Sequence, residues 1–340
     1  MANILLTGGA GFIGHHLVEH LLKTTKHNIV ILDRLDISGT LNRIEDVILQ
    51  DPSYGKRLRF VWHDLKAPVN EFIERQIGDV EYVLHLAAGS HVDRSITDPM
   101  SFVMDNVVGT GNLLEYVRLR LKDKIKFFLY FSTDEVFGSA PDGVFYKEWD
   151  RYNSGNPFSA SKAGAEELCV AYANTYNLPI HVTHTMNVIG IRQHPEKYVP
   201  LIIKKVLLGE TLYVHSNAEK TRAGARFYID VRDVCRAVTF IMFHCSDVYA
   251  RPLDKFNIVG SEEIDNLSLA KMIADIVGNE LIYEMVDFHS SRPGHDLRYS
   301  LCGEKMDELG WRPRPLRERL EEIVEWYLAN QNWLFIDGEQ

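Results

Sequence analysis

The stretch Ile4-Leu5-Leu6-Thr7-Gly8-Gly9-Ala10-Gly11-Phe12-Ile13-Gly14 constrains the fold more than any other part of the chain. Ile4 to Thr7 reads as a short buried strand. His15 to Thr24 carries Leu17, Val18, Leu21 and Leu22 at helical spacing. The glycines between them let the backbone turn tightly and approach a pyrophosphate, whose charge is met by the N-terminus of the helix. A second apolar run, Ile29 to Leu32, ends at Asp33. A carboxylate about twenty residues after such a turn is where a ribose 2′-hydroxyl is held. It repels a 2′-phosphate and so favours NAD over NADP, a preference that Arg34 next to it softens.

The alternation continues along the chain. Leu58 to Trp62 is the next strand and leads into His63-Asp64-Leu65, where Asp64 is expected to reach an adenine. Val80 to Leu86 is another, followed by Ala87-Ala88-Gly89, small residues that let a cofactor lie close. The spacing predicts a long helix from Pro99 to Leu121, a fully apolar strand from Lys126 to Phe131, a helix from Phe158 to Tyr176 and a strand from Ile180 to Thr185. Strands alternating with helices call for an α/β fold, a Rossmann-type doubly wound parallel sheet. Beyond Met186 the pattern loosens. Short strands are expected at Thr211 to His215 and Arg226 to Ile229, and a last sheet strand at Phe256 to Val259. Helices are expected after Pro195, at Asp233 to Phe243, at Leu267 to Val277 and at Arg317 to Tyr327. These elements suggest two interleaved parts: a dinucleotide-binding domain over 1–185 plus about 230–260, and a smaller α/β substrate lobe over 186–229 plus about 261–330.

Composition narrows the function. With 46% hydrophobic and 25% charged residues the chain reads as an ordinary globular protein. A net charge of −10 argues against a nucleic-acid polymer as partner, because phosphate backbones demand clustered cations. Cys169, Cys235, Cys245 and Cys302 show no paired spacing, so reduced thiols in a cytoplasmic protein are expected. No apolar run approaches the ~20 residues of a membrane span, and no metal site is expected.

Two stretches carry the chemistry. Ser132-Thr133-Asp134-Glu135 puts two carboxylates side by side at the end of an apolar strand, where an open α/β sheet binds its ligands. Asn156-Pro157-Phe158-Ser159-Ala160-Ser161-Lys162 carries a lysine four positions after an aromatic ring at the start of a helix. Adjacent acids suit acid–base work when their surroundings push the two pKa values apart.

The glycine turn, Asp33, the alanine pair, Ser132-Thr133 and the aromatic-x-x-x-Lys helix together resemble the extended short-chain dehydrogenases/reductases that act on nucleotide sugars. Thr133-Asp134-Glu135-Val136-Phe137-Gly138 resembles the dTDP-glucose 4,6-dehydratase branch. So do Ser90-His91-Val92-Asp93-Arg94-Ser95-Ile96, Pro195-Glu196-Lys197 and Arg292-Pro293-Gly294-His295-Asp296. The resemblance implies tightly bound NAD, held by Gly8, Gly11, Phe12, Ile13, Gly14, Asp33, Asp64, Leu65, Leu86, Ala87, Ala88 and Lys162. It implies a nucleotide-diphosphate sugar as substrate, met by Ser90, Thr133, Asn187, Glu196, Lys197, Arg226, Arg292, His295 and Tyr299. It implies a hydro-lyase reaction: oxidation at C4, loss of water across C5–C6, and return of the hydride to C6. Asp134 then acts as the acid and Glu135 as the base, and the protein works as a homodimer.

The chain departs from the family in four places. Phe158 stands where the family has tyrosine, and a phenyl ring neither accepts nor donates a proton. Either this is an altered, nearly inactive version that still holds substrate, or it is a natural protein with another base; the intact remaining positions favour the first. Gly89 replaces a glutamate, His215 replaces a tyrosine, and the stretch Asn217 to Ala225 is longer than the family pattern. dTDP-glucose is the default substrate, with UDP- and GDP-sugars as further options. The alternatives are an epimerase, a decarboxylase or a 5,6-dehydratase of the same superfamily, or a non-catalytic protein that binds NAD or a nucleotide sugar.

Overall fold

The seven strands predicted for the sheet do form one all-parallel sheet. They are β1 (Asn3–Thr7), β2 (Asn28–Asp33), β3 (Leu58–Trp62), β4 (Tyr82–His85), β5 (Phe127–Thr133), β6 (Ile180–Thr185) and, from later in the chain, Leu253–Ile258. The computed structural model describes residues 2–36, 38–245, 253–287 and 297–335. Across the sheet the order runs Leu253–Ile258, β6, β5, β4, β1, β2, β3. The central strands β1, β4 and β5 are mostly apolar because helices cover both faces, whereas β6 and Leu253–Ile258 also carry polar side chains such as His184 and Lys255. Ile4, Leu6, Leu129 and Phe131 pack on one side against helix Phe12–Thr24 and helix Val231–Phe240. Leu5, Val83, Phe128 and Tyr130 pack on the other against the helical run 99–121 and helix Pro157–Tyr176. Strand order reverses between β1 and β4, which opens a crevice at the carboxyl ends of these strands.

Two differences from expectation bear on the crevice. β5 runs two residues further than the apolar stretch, so Ser132 and Thr133 are still in register with His184 and Thr185 of β6. The run 99–121 is one continuous helical run with π-helical segments at Val103–Val108 and Val117–Leu121. An inserted π turn rotates the side chains after it, and such bulges recur at functional sites. Helices Leu41–Gln50 and Glu71–Ile77 went unpredicted.

After β6 the chain builds a second group of elements. β7 (Asn187–Ile189) pairs in parallel with β9 (Ala225–Asp230), and Glu263–Asp265 pairs antiparallel to β9. β8 (Leu212–Ser216) pairs in parallel with Tyr283–Asp287. Helices Tyr198–Leu208, Asn266–Val277 and Leu316–Ala329 share a separate core built on Ile202, Ile203, Leu269, Ile273, Leu320 and Val324. Met306 and Trp311 instead pack with the core under the main sheet. No helix among the described residues is long and apolar enough to cross a membrane.

Candidate active site

The turn after β1 is tight because only glycine fits it. Gly8 has φ +74°, and a Cβ there would sit 2.7 Å from the Ala87 nitrogen. A Cβ on Gly14 would lie 2.1 Å from the Gly8 oxygen, so helix Phe12–Thr24 rests directly against the turn. Gly11 caps that helix in an extended conformation with no side-chain cap, and the first turn holds no acid. Its leading N–H groups are therefore suited to an anion. At the end of β2, Asp33 is buried and accepts from the backbone nitrogens of Ala10 and Leu35, both at 2.9 Å. Burial raises its carboxyl pKa, against the pull of those two N–H groups.

All the expected site residues that the structure describes line one cleft of about 640 Å³ at this edge of the sheet. The cofactor-side residues from Gly8 to Ala88 and the acid pair share it with Ser90, Asn187, Glu196, Lys197, Arg226 and Tyr299. The loop from Arg292 to Asp296, with Arg292 and His295, lies outside the described residues.

At the chemical end, Thr133 closes β5. Its hydroxyl donates to Asp134 Oδ1 at 3.0 Å and accepts from the Glu135 nitrogen at 3.4 Å. Asp134 is 4% exposed, and its Oδ2 meets no hydrogen-bond partner among the described residues. Burial lifts its pKa to about 6, with the Thr133 hydrogen bond and the Arg226 charge pulling back. Glu135 accepts from Asn156 Nδ2 at 3.1 Å. Asn156 also caps helix Pro157–Tyr176 through a reciprocal bond pair with Ser159, behind Pro157 in the first turn. One turn into that helix, Lys162 is buried. Its ammonium donates to the Phe131 carbonyl at 2.6 Å and lies 4.3 Å from the centre of the Tyr130 ring. Burial lowers its pKa to about 8. Phe158 is buried edge-on to Phe102 and donates its backbone N–H to Ser95 Oγ at 3.1 Å.

Arg34 needs correction. Its guanidinium is tied bidentately to Asp105 at 2.6 and 2.8 Å and to Asp36 at 2.9 Å, so it does not stand open to a 2′-phosphate. Asp105 and Asn106 were not assigned from sequence, since the π turn that aims them is invisible to a 3.6-residue period. Asn106 clamps the Gly89 nitrogen and oxygen and also donates to Ser161 Oγ at 2.8 Å. A Cβ on Gly89 would come within 3.1 Å of the Phe102 ring. His91, Arg94 and His194 surround Glu196 at 3.5 to 3.7 Å. The Arg226 guanidinium lies 4.5 Å from the Tyr299 ring centre. His215 lies on β8 and lines the cleft, and Asn217 ties the long loop after it by accepting from the Thr221 and Arg222 nitrogens at 2.8 Å.

A parallel sheet in this order, with a glycine turn, an acid after β2 and a serine–threonine strand end that shares its cleft with a buried lysine, defines a Rossmann-type protein of the extended short-chain dehydrogenase/reductase kind. Residues 5–325 match the model of the GDP-mannose 4,6 dehydratase family, and the chain belongs to that family. The dTDP-glucose 4,6-dehydratase of Salmonella typhimurium is 36% identical over 97% of this chain and 94% of its own length. The low-salt glycan biosynthesis protein of Haloferax volcanii is also 36% identical, over 96% of this chain and 99% of its own. Among solved structures, dTDP-glucose 4,6-dehydratase from Streptomyces venezuelae with NAD and TYD bound is 34% identical with a TM-score of 0.84. It covers 97% of this chain and 98% of its own.

Proposed function

We propose that this chain is an NAD-dependent nucleotide-sugar 4,6-dehydratase of the dTDP-glucose type. The observation that carries this reading is the meeting in one cleft of an uncapped helix N-terminus, Asp33, the buried Lys162 and the pair Asp134–Glu135. Gly8, Gly11, Phe12, Ile13 and Gly14 hold the pyrophosphate, and Asp33 holds the ribose. Asp64 and Leu65 flank the adenine, Leu86, Ala87 and Ala88 line the cofactor's path, and Lys162 binds the nicotinamide ribose. NAD bound there supplies a two-electron acceptor that is restored when the cycle ends.

The chain's own groups handle protons and position. Thr133 holds the sugar O4, Glu135 takes the C5 proton, and Asp134 protonates the departing C6 hydroxyl. The opposite pKa demands on a neighbouring acid and base fit an Asp134 that burial pushes upward. Arg226 suits a diphosphate, since guanidinium offers parallel donors. Ser90, Asn187, Glu196, Lys197, Arg292, His295 and Tyr299 complete the nucleotide-sugar contacts. Phe158 handicaps the first step, C4 oxidation.

The same proposal assigns 1–185 plus about 230–260 to cofactor binding and 186–229 plus about 261–330 to the nucleotide sugar. The free, buried thiols of Cys169 and Cys235 support a reducing, cytoplasmic setting. Met100, Met104 and Leu119 are exposed on the run 99–121, which supports a homodimer joined through that run and helix Pro157–Tyr176.

The test is product analysis by NMR in deuterated water with dTDP-, UDP-, GDP- and CDP-glucose. A 4-keto-6-deoxy product with deuterium at C5 is expected, with dTDP-glucose preferred. An epimer that retains its C6 hydroxyl would overturn the reading. Phe158→Tyr should raise the rate of C4 oxidation at least ~10-fold, a fraction of what a positioned acid–base group contributes.

A further inference from the structure

With phenylalanine at position 158, the proton of the sugar C4 hydroxyl needs another destination. That need arises on the dehydratase reading, on which the relay rests. We propose that Thr133 and Asp134 form a proton relay, in which the C4 hydroxyl passes its proton to Thr133 Oγ1 while Thr133 passes its own to Asp134.

The direction follows from hydrogen-bond capacity. A hydroxyl has one hydrogen to give and two lone pairs to receive. Thr133 gives its hydrogen to Asp134 Oδ1 at 3.0 Å and receives the Glu135 N–H at 3.4 Å. One lone pair is left on a side chain that lines the cleft. A sugar hydroxyl bound there must be the donor, so its proton already points along the relay. Asp134 is buried, and its Oδ2 has no partner among the described residues, so the carboxylate has room to become an acid. The rival groups are engaged elsewhere. The Lys162 ammonium has no lone pair while charged and donates to the Phe131 carbonyl. Glu135 receives Asn156 and is assigned to C5.

The relay also balances. As the C4 hydride and its two electrons go to the nicotinamide, the C4–O bond becomes a ketone and the O4 proton ends on Asp134. Asp134 then gives that proton to the C6 hydroxyl as the C6–O bond breaks, and water leaves. Asp134 returns to carboxylate with no exchange to solvent. Glu135 takes the C5 proton, exchanges it with solvent, and delivers a solvent-derived proton to C5 when hydride reaches C6. Arg226 of β9 is the charged side chain that bears on the Asp134 pKa, with Glu135 next to it in the chain. With a pKa pushed by burial to about 6, the carboxylate is ready to accept at neutral pH.

The experiment mixes dTDP-glucose rapidly with the holoenzyme and follows the near-ultraviolet band of the reduced cofactor. The variants are Thr133→Val, Thr133→Ser and Asp134→Asn, each with Phe158 and with Phe158→Tyr. With Phe158, Thr133→Val and Asp134→Asn should each slow reduction ~100-fold or more, while Thr133→Ser retains it within ~10-fold. With Phe158→Tyr, the Thr133→Val and Asp134→Asn losses should shrink below ~10-fold. With Phe158 the reduction rate should also climb as pH rises through about 6 and then level off. In the substrate-free protein, Thr133→Val should shift the infrared titration of the Asp134 carboxyl, a readout that needs no turnover. Reduction by the Phe158 protein that is indifferent to Asp134→Asn overturns the relay alone, as does reduction seen only with Phe158→Tyr. Silence in both backgrounds overturns the dehydratase reading and the relay together.

Discussion

A carboxylate shut away from water is costly to keep charged, and Asp134 is only 4% exposed. Burial pushes its folded pKa to about 6, above the ~3.9 of an unfolded aspartate. Between those values the folded protein holds a proton that the unfolded chain has released. Stability from this group therefore falls as pH rises through that window and levels off above about 6. Asp134→Asn should raise stability at pH 8 by ~1–3 kcal/mol while abolishing elimination, a trade of stability against activity. Urea midpoints at pH 8 check it, and a less stable variant would refute it. Arg34 obeys a related logic at the other end of the cleft. Its guanidinium is held by Asp105 and Asp36, with Asp64 at 3.7 Å. A 2′-phosphate would have to compete with carboxylates already in bidentate geometry. Asp105→Asn should improve binding of NADP relative to NAD at least ~10-fold, equivalent to ~1.4 kcal/mol. Calorimetric titration of cofactor-free protein measures the ratio; an unchanged ratio removes Asp105 as the determinant.

Helix Pro157–Tyr176 links local sequence signals to the chemistry. Asn156 both caps it and holds Glu135, so one side chain sets the helix start and the orientation of the proposed base. Asn156→Ala should cost ~1–2 kcal/mol from the lost cap. Asn156→Ser keeps a capping oxygen yet releases Glu135, so it should retain most of the stability while solvent deuterium enters C5 more slowly. Equal losses from both variants, in denaturation and in deuterium uptake, would reduce Asn156 to a cap. Elements of this kind were legible in the sequence. The glycine turn, the apolar strands and the Pro157 start are local signals, and they sufficed to bring the acid pair and Lys162 to one sheet edge. What stayed hidden depends on geometry that no short window contains. The π segment Val103–Val108 aims Asp105 and Asn106 at residues far away in the chain. Arg34 read as an open cation because its partner Asp105 lies 71 positions later. The short strand β7 carries only Asn187, Val188 and Ile189, too few for a period to register.

Across the whole molecule, a buried polar network joins parts of the chain that the sequence keeps apart. Glu166 sits one turn beyond Lys162 on the same helix, fully enclosed. It meets His184 of β6 at 3.0 Å, Lys255 of the edge strand at 2.9 Å, and the Tyr152 hydroxyl. Lys255 also donates to Tyr152 at 2.6 Å, and His184 Nδ1 contacts Asn257 Oδ1 at 3.0 Å. The network thus ties the helix bearing Phe158 and Lys162 to the two strands at one end of the sheet. Burial alone would raise the Glu166 carboxyl, but His184, Lys255 and Tyr152 outweigh it and hold the pKa well below the usual range. A depressed folded value gives stability that is fully present above the unfolded value of ~4.3 and is lost as pH falls below it. Glu166→Gln would leave Lys255 buried without its counter-charge, at a cost of ~3–5 kcal/mol at neutral pH. Replacing both charges, as in Glu166→Gln with Lys255→Met, should recover much of that loss, because the pair has already given up its hydration on folding. Guanidinium midpoints of the two single variants and the double variant, at pH 7 and pH 4, decide the matter. A Glu166→Gln protein as stable as the parent at pH 7, or a double variant no better than the single one, would show that packing of apolar side chains alone holds this helix on the sheet.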